Sequence, residues 1–177
     1  MHPQLELFIE NCCPEISPEI PTNQDNTHLP ISNQTWETWF NQWLEILITE
    51  LPPASSYEIG LRLTNDAQIQ ELNAQYRQQN KPTDVLAFAA LENDFPQTEE
   101  MLVSQPLYLG DIIVSIDTAK RQSQQQQHSL TTELAWLTAH GLLHVLGWDH
   151  PDEDSLQQML GKQVTLLEAV GIIIDVE

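Results

Sequence analysis

Residues 57–90 read YEIGLRLTNDAQIQELNAQYRQQNKPTDVLAFAA. In the first seven, Tyr57, Ile59, Leu61 and Leu63 alternate with Glu58, Gly60 and Arg62, the period of two expected of a half-buried strand. At Asn65 the period changes. An asparagine there can cap a helix, and Ile69, Leu72 and Tyr76 recur at helical spacing on the core side. On the neighbouring stripe, Asn73 and Arg77 lie four apart and face the same way. After KPT, the segment DVLAFAA is a short apolar strand. A strand, a helix and a second strand within one stretch predict layers of helix and sheet.

The same layering extends outward in both directions. LELFIEN at 5–11 has the character of an opening strand. Residues 12–34 hold four prolines, two cysteines and many polar residues, and are expected to be a loop insertion. Thr35 is the expected cap of a helix reaching about residue 51. Its stripe of Trp36, Trp39, Phe40, Trp43, Leu44 and Leu47 is expected to pack on the sheet, the alternative being a ligand platform. Beyond the central stretch, 92–106 is acidic with two prolines and predicts a loop. LYLGDIIVS at 107–115 predicts another strand, with Asp111 on the face of Leu109 and Ile113. A carboxylate on an apolar face is costly unless paired, so Asp111 is either a supporting group of a site or a strand-end aspartate partly in water. Residues 116–127 predict a solvated helix. Ser129 can cap a long apolar helix, with Glu133 in its first turn and Gly147 at its end. A last helix starts near Asp152 or Asp154, with Leu156, Leu160, Val164 and Leu167 as its core stripe. The predicted order is β-α-β-α-β-β-α-α-α. It describes one α+β domain over 1–177, mixed α/β layers with a small mixed sheet packed by helices.

At 177 residues the chain is long enough for a real core. No apolar run approaches the roughly 18–20 residues that span a bilayer. The start, MHPQLELFIEN, lacks the basic and apolar regions of a signal peptide, so a cytoplasmic location is expected. Cys12 and Cys13 are adjacent, which disfavours a mutual bridge and predicts two reduced thiols. Six Lys plus Arg against 26 Asp plus Glu give a net charge of −20. Such a surface repels phosphate backbones and anionic membranes, so any nucleic-acid role must rest on a local site or on docking to a partner.

The chemistry-bearing segment is HGLLHVLGWDH at 140–150. Four residues turn a helix by about 400°, so His140 and His144 leave the same face about 6 Å apart along the axis. Gly147 tolerates positive φ and permits a turn that returns His150 as a third ligand. Three neutral imidazoles suit zinc and leave a fourth position open, the pattern of a catalytic site. A lone histidine on an apolar helix is more often a packed core residue; three at this spacing with a glycine at the bend are not readily explained that way. The spacing equals that of metzincin proteases, whose general base is a glutamate directly after the first histidine. Gly141 stands at that place, so peptide hydrolysis by that route is disfavoured.

With these residues in view, the chain resembles the YbeY family, bacterial metal-dependent endoribonucleases implicated in ribosomal RNA maturation. The resemblance rests on HGLLHVLGWDH, on LNAQYRQQNKPTDVLAF at 72–88 and on LGDI at 109–112, in that family's order and spacing over roughly residues 57–170. Ala87 and Ala89 stand where the family often has serine and proline, and the stretch 12–34 looks longer than the family needs. The resemblance implies a catalytic role for Arg77. A guanidinium near an electrophilic metal can clamp a phosphate and neutralise charge developing in the transition state. On the residues alone, the favoured reading of Arg77 is instead a surface group bonded to a carboxylate.

The reading that follows is a single-strand-specific endoribonuclease acting at the 3′ end of small-subunit ribosomal RNA and in ribosome quality control. It carries one Zn2+ per chain on His140, His144 and His150, with ribosomal RNA and the small subunit as partners and neither membrane nor DNA. Asp149 is a candidate general base, or else orients a ligand or caps the turn. Lys81, Lys120 and Arg121 are expected to gather near Arg77. Two other readings stay open: a zinc-dependent hydrolase of another substrate, such as a peptide, and a ribosome-assembly factor with a structural metal.

Overall fold

The computed structural model describes residues 4–11, 31–90 and 106–174. Cys12, Cys13, most of the 12–34 insertion and nearly all of the acidic loop fall outside them. The elements are β1 (Gln4–Asn11), α1 (Asn33–Ile46), β2 (Ser56–Thr64), α2 (Asp66–Arg77), β3 (Val85–Ala89), β4 (Leu107–Ser115), α3 (Ile116–Gln126), α4 (Leu130–Val145) and α5 (Glu153–Ala169), with a 3₁₀ turn at Ile48–Glu50. This is the predicted order. The sheet runs β1-β2-β4-β3; β1, β2 and β4 are parallel, and β3 is an antiparallel edge. The fold is a mixed α/β arrangement with a small mixed sheet, as expected.

One face of the sheet is covered by α1 and α4, with α5 packed on both. Trp36, Trp39, Phe40, Trp43, Leu44 and Leu47 are all buried there with Ile59, Leu61, Leu109, Ile112 and Leu142. The tryptophan stripe is therefore core. Each large apolar side chain removed from water contributes roughly 1.5–3 kcal/mol. The reverse face holds a smaller cluster of Ile69, Leu86 and Ile113, roofed by α2.

Three local expectations are corrected. Ser32, not Thr35, caps α1: Ser32 is extended and its Oγ accepts from Thr35 N at 3.1 Å, so Thr35 already lies in the first turn. The buried line of α5 is Met159, Gln163, Leu166 and Leu167, rotated from the predicted leucine stripe, with a glutamine in the core. Asp111 does not share a face with Leu109. The register of β2 against β4 shifts between Glu58 and Ile59, pairing Glu58 with Tyr108 and Ile59 with Gly110. This bulge adds one residue to β4 and reverses its alternation, so Leu109 and Ile112 enter the main core while Asp111 and Ile113 turn to the reverse face. Gly110 makes the bulge possible: its φ is +148°, and a Cβ there would lie 2.3 Å from the Phe88 carbonyl.

Candidate metal centre and cleft

Helix α4 places His140 and His144 on one face, and its C-terminus supplies the third imidazole. Gly147 adopts φ +100°; Gly147 N donates to His144 O at 3.0 Å, and Trp148 N to Leu143 O at 2.9 Å. This left-handed closure reverses the chain. His150 then returns to within 5.9 Å of the His140 ring and 5.4 Å of the His144 ring, centre to centre. One nitrogen of each ring lies within 4.8 Å of the others, so the group can hold a metal ion.

The ring orientations follow from hydrogen bonding. His140 Nδ1 lies 3.0 Å from Gln163 Oε1, and His144 Nδ1 lies 2.9 Å from the Trp148 carbonyl. Both partners are pure acceptors, so each Nδ1 carries a hydrogen. Gln163 is fully buried, and its amide nitrogen donates to Trp136 O at 3.3 Å, which fixes the carbonyl oxygen toward His140. The two Nε2 atoms, 3.0 Å apart, then face each other as bare lone pairs while both rings are neutral. Burial lowers the pKa of both histidines from 6.5, outweighing the acceptors that would raise it, and the neutral state is favoured. Two facing lone pairs repel unless a cation lies between them. Tetrahedral zinc at about 2.0–2.1 Å from each nitrogen requires separations of this order, so the donor set fits the metal.

Arg77 lies across an open cleft from these rings. The cleft, about 1020 Å³, is lined by Arg77, Tyr76, Asp84, Phe88, His140, His144, Trp148 and Asp149. Arg77 is exposed at the end of α2; its Nη2 donates 3.0 Å to Ala87 O on the free edge of β3, and its guanidinium lies 6.0 Å from the centre of the Phe88 ring. Its companion Asn73 is buried and donates to Lys81 O at 2.9 Å, pinning the loop that leads into β3. No carboxylate pairs with Arg77 among the described residues. Arg121 is not nearby: it pairs with Asp66 at 2.9 Å, at the opposite end of α2 and about 16 Å along the axis. The expected gathering of basic side chains is corrected for this residue. Asp149 Oδ1 accepts from His150 N at 2.8 Å, so one of its oxygens caps the turn. Asp111 stands on the reverse face, outside the cleft.

Gly141 is buried against the sheet. A Cβ there would lie 2.7 Å from Ile112 Cγ2 and 3.2 Å from Val85 Cγ2. The protease base is therefore absent, and its position also has no room for a side chain. Sequence reasoning missed Gln163 and the Trp148 carbonyl. Gln163 gave no signal, because it lies outside the stripe of Leu156, Leu160, Val164 and Leu167 that helical spacing picks out. The Trp148 carbonyl has none, because any residue supplies a carbonyl.

Comparison with known proteins identifies the family. The family model described as Endoribonuclease YbeY matches residues 20–171. A chain of Trichormus variabilis named endoribonuclease YbeY is 66% identical over 173 residues, covering 98% of this chain and 98% of its own. A Nostoc chain of the same name is 65% identical, covering 98% and 94%. The solution structure of TM1509 from Thermotoga maritima shares the fold, with a TM-score of 0.52 and 23% identity over 93% of this chain and 89% of that one. No helix among the described residues is long and apolar enough to cross a membrane. With most of its length matched by one family model and by relatives of this identity, the chain belongs to the endoribonuclease YbeY family.

Proposed function

We propose that this chain is a single-strand-specific, metal-dependent endoribonuclease that matures the 3′ end of small-subunit ribosomal RNA and acts in ribosome quality control. The observation that carries the reading is the convergence of His140 and His144 Nε2, 3.0 Å apart, on a cleft whose other wall presents Arg77. One Zn2+ per chain is the proposed cofactor, held by His140, His144 and His150; when bound it supplies Lewis-acid polarisation of a phosphate oxygen and a lowered pKa for water.

The chain's own groups do the rest. Gln163 and the Trp148 carbonyl hold two rings in the ligating tautomer. Arg77, held by Ala87 O and the Phe88 ring, binds the phosphate and offsets charge that grows in the transition state. A phosphodiester suits this cleft better than a peptide, because the wall opposite the histidines is a guanidinium and position 141 has no room for a carboxylate. The acidic surface predicts weak affinity for free RNA, with the ribosomal small subunit supplying the docking, in the cytoplasm and without membrane or DNA partners.

The test is cleavage of single-stranded RNA by the purified protein with and without zinc, beside His144→Ala and Arg77→Ala. Zinc-dependent cleavage lost in both variants supports the proposal. Equal, chelator-insensitive cleavage by all three proteins would refute it. An Arg77→Ala protein that folds and still matures ribosomal RNA would favour an assembly factor with a structural metal.

A further inference from the structure

A second cavity, of about 640 Å³, opens on the reverse face of the sheet, beside α2. Sites for small organic groups run from about 300 to 1,000 Å³. Its floor is Gly60 on β2 and Asp111 on β4, which are register partners. A Cβ at Gly60 would lie 2.2 Å from Asp111 Oδ1, so the carboxylate occupies the space that a side chain would fill. The bulge at Gly110 is what turns Asp111 to this face, and the glycine at 60 is what lets it lie flat on the floor. The Tyr108 hydroxyl donates to Asp111 Oδ2. Burial, together with that bond and the adjacent negative charge, pushes the Tyr108 pKa well above 10.0, so the hydroxyl remains a donor. Among the described residues no donor reaches Oδ1. The walls carry aromatic rings, with Tyr76 and Phe88 edge to face at 5.3 Å and Phe8 at the opposite rim, and Arg62, paired with Glu10 at 3.3 Å, also lines the cavity. Phe8 is 56% and Tyr76 57% exposed, large apolar surface left facing water around a carboxylate.

We propose that this cavity is a guanine-binding subsite for single-stranded RNA, in which Asp111 accepts from the base's Watson–Crick edge and Phe8, the register neighbour of Gly60, stacks on its face. The inference rests on reading the histidine cleft as an RNA-cleaving centre. Tyr76 and Phe88 line both spaces, and the Arg77 guanidinium sits against Phe88 at their junction. A strand with a phosphate at Arg77 therefore has a path over the β3 edge into the cavity. Guanine is the base whose N1–H and N2–H2 donors stand side by side, matching a carboxylate's acceptors. Adenine and cytosine bring one amino donor beside ring acceptors, and the single N–H of uracil is flanked by carbonyls that a carboxylate repels. Stacking on aromatic rings adds affinity for any base, so the carboxylate supplies the choice. This mode also suits a chain of net charge −20: a donor-edged neutral base gains from the carboxylate on the floor.

The experiment titrates guanosine, inosine, adenosine, cytidine and uridine, all without phosphate, into the full chain by NMR chemical-shift mapping. It is repeated on Asp111→Asn, Phe8→Ala and His144→Ala. Guanosine should bind at least tenfold more tightly than adenosine, cytidine or uridine. Inosine, lacking the 2-amino group, should fall between, with shifts centred on Gly60 and Asp111. Asp111→Asn should remove the preference, and Phe8→Ala, at an exposed rim, should weaken guanosine about tenfold without moving the melting temperature. His144→Ala should bind guanosine as the parent does, which separates this subsite from the cleavage reading: loss of RNA cleavage with guanosine binding intact leaves the subsite standing. Equal affinity for all nucleosides, no binding of guanosine, or an unchanged preference in a folded Asp111→Asn protein would overturn the proposal.

Discussion

Replacing Gln163 with leucine separates metal affinity from fold stability. Gln163 is buried, and its carbonyl oxygen accepts the Nδ1 hydrogen of His140 at 3.0 Å. Leucine keeps much of the volume and removes the acceptor. A buried N–H left unsatisfied costs about 1–3 kcal/mol. The metal-free protein has an escape: His140 can move its proton to Nε2 and donate to His144 Nε2, 3.0 Å away. Its loss of stability should then be limited to roughly 1 kcal/mol, near the net value of one hydrogen bond. The zinc-loaded protein has no such escape, since that nitrogen must ligate with its lone pair, and the Nδ1 hydrogen returns to an apolar wall. Zinc affinity should fall about 10–100-fold, the range seen when a supporting partner of a ligand is removed. At about 1.4 kcal/mol per tenfold, that is roughly 1.4–2.8 kcal/mol. Competition against a chelator of known affinity gives the first quantity, urea unfolding without metal gives the second, and 15N spectra of the imidazoles report the tautomer. Zinc affinity within threefold of the parent would refute the reasoning, as would a metal-free protein destabilised as much as the loaded one.

Arg77→Ala should leave stability within about 1 kcal/mol, since the side chain is exposed. It should also slow single-turnover RNA cleavage on the order of 100-fold through lost charge stabilisation; cleavage at the parental rate would remove Arg77 from the reaction. Gly141→Ala drives a methyl to 2.7 Å from Ile112 Cγ2. Overpacking of about 1–3 kcal/mol exceeds the gain of about 1 kcal/mol in helix propensity, so urea denaturation should show a net loss rather than the gain expected at an open helix site. The folded-state pKa values of His140 and His144 are depressed below 6.5 by burial. Between the folded and unfolded values the unfolded chain binds more protons, so their contribution is present above 6.5 and is lost as pH falls below it. Unfolding of metal-free protein from pH 8 to 5 should show this decline, steeper than in His144→Ala; parallel curves would contradict it.

Much of the molecule is legible in one dimension, because the signals concerned are local. Period-two alternation in YEIGLRL, the asparagine and serine caps, and the i, i+4 spacing of His140 and His144 depend on a few neighbouring residues and on backbone geometry alone. They were enough to read the element order and to bring three imidazoles to one helix end. What depended on distant partners was not legible. The face on which Asp111 lies was decided by a bulge, which exists only once β4 is in register with β2. Gln163 became the partner of His140 because α5 packs its buried line against α4, across 23 residues of sequence. Arg77 faces the histidines because β3 is the sheet edge over which α2 ends, and Arg121 was carried to the other end of that helix. The histidine spacing determines that a metal can be gripped. Only the tertiary structure decides which nitrogens face it, what stands across the cleft, and that a carboxylate-floored cavity opens on the opposite side of the same sheet, because those are contacts between segments that the chain order keeps apart.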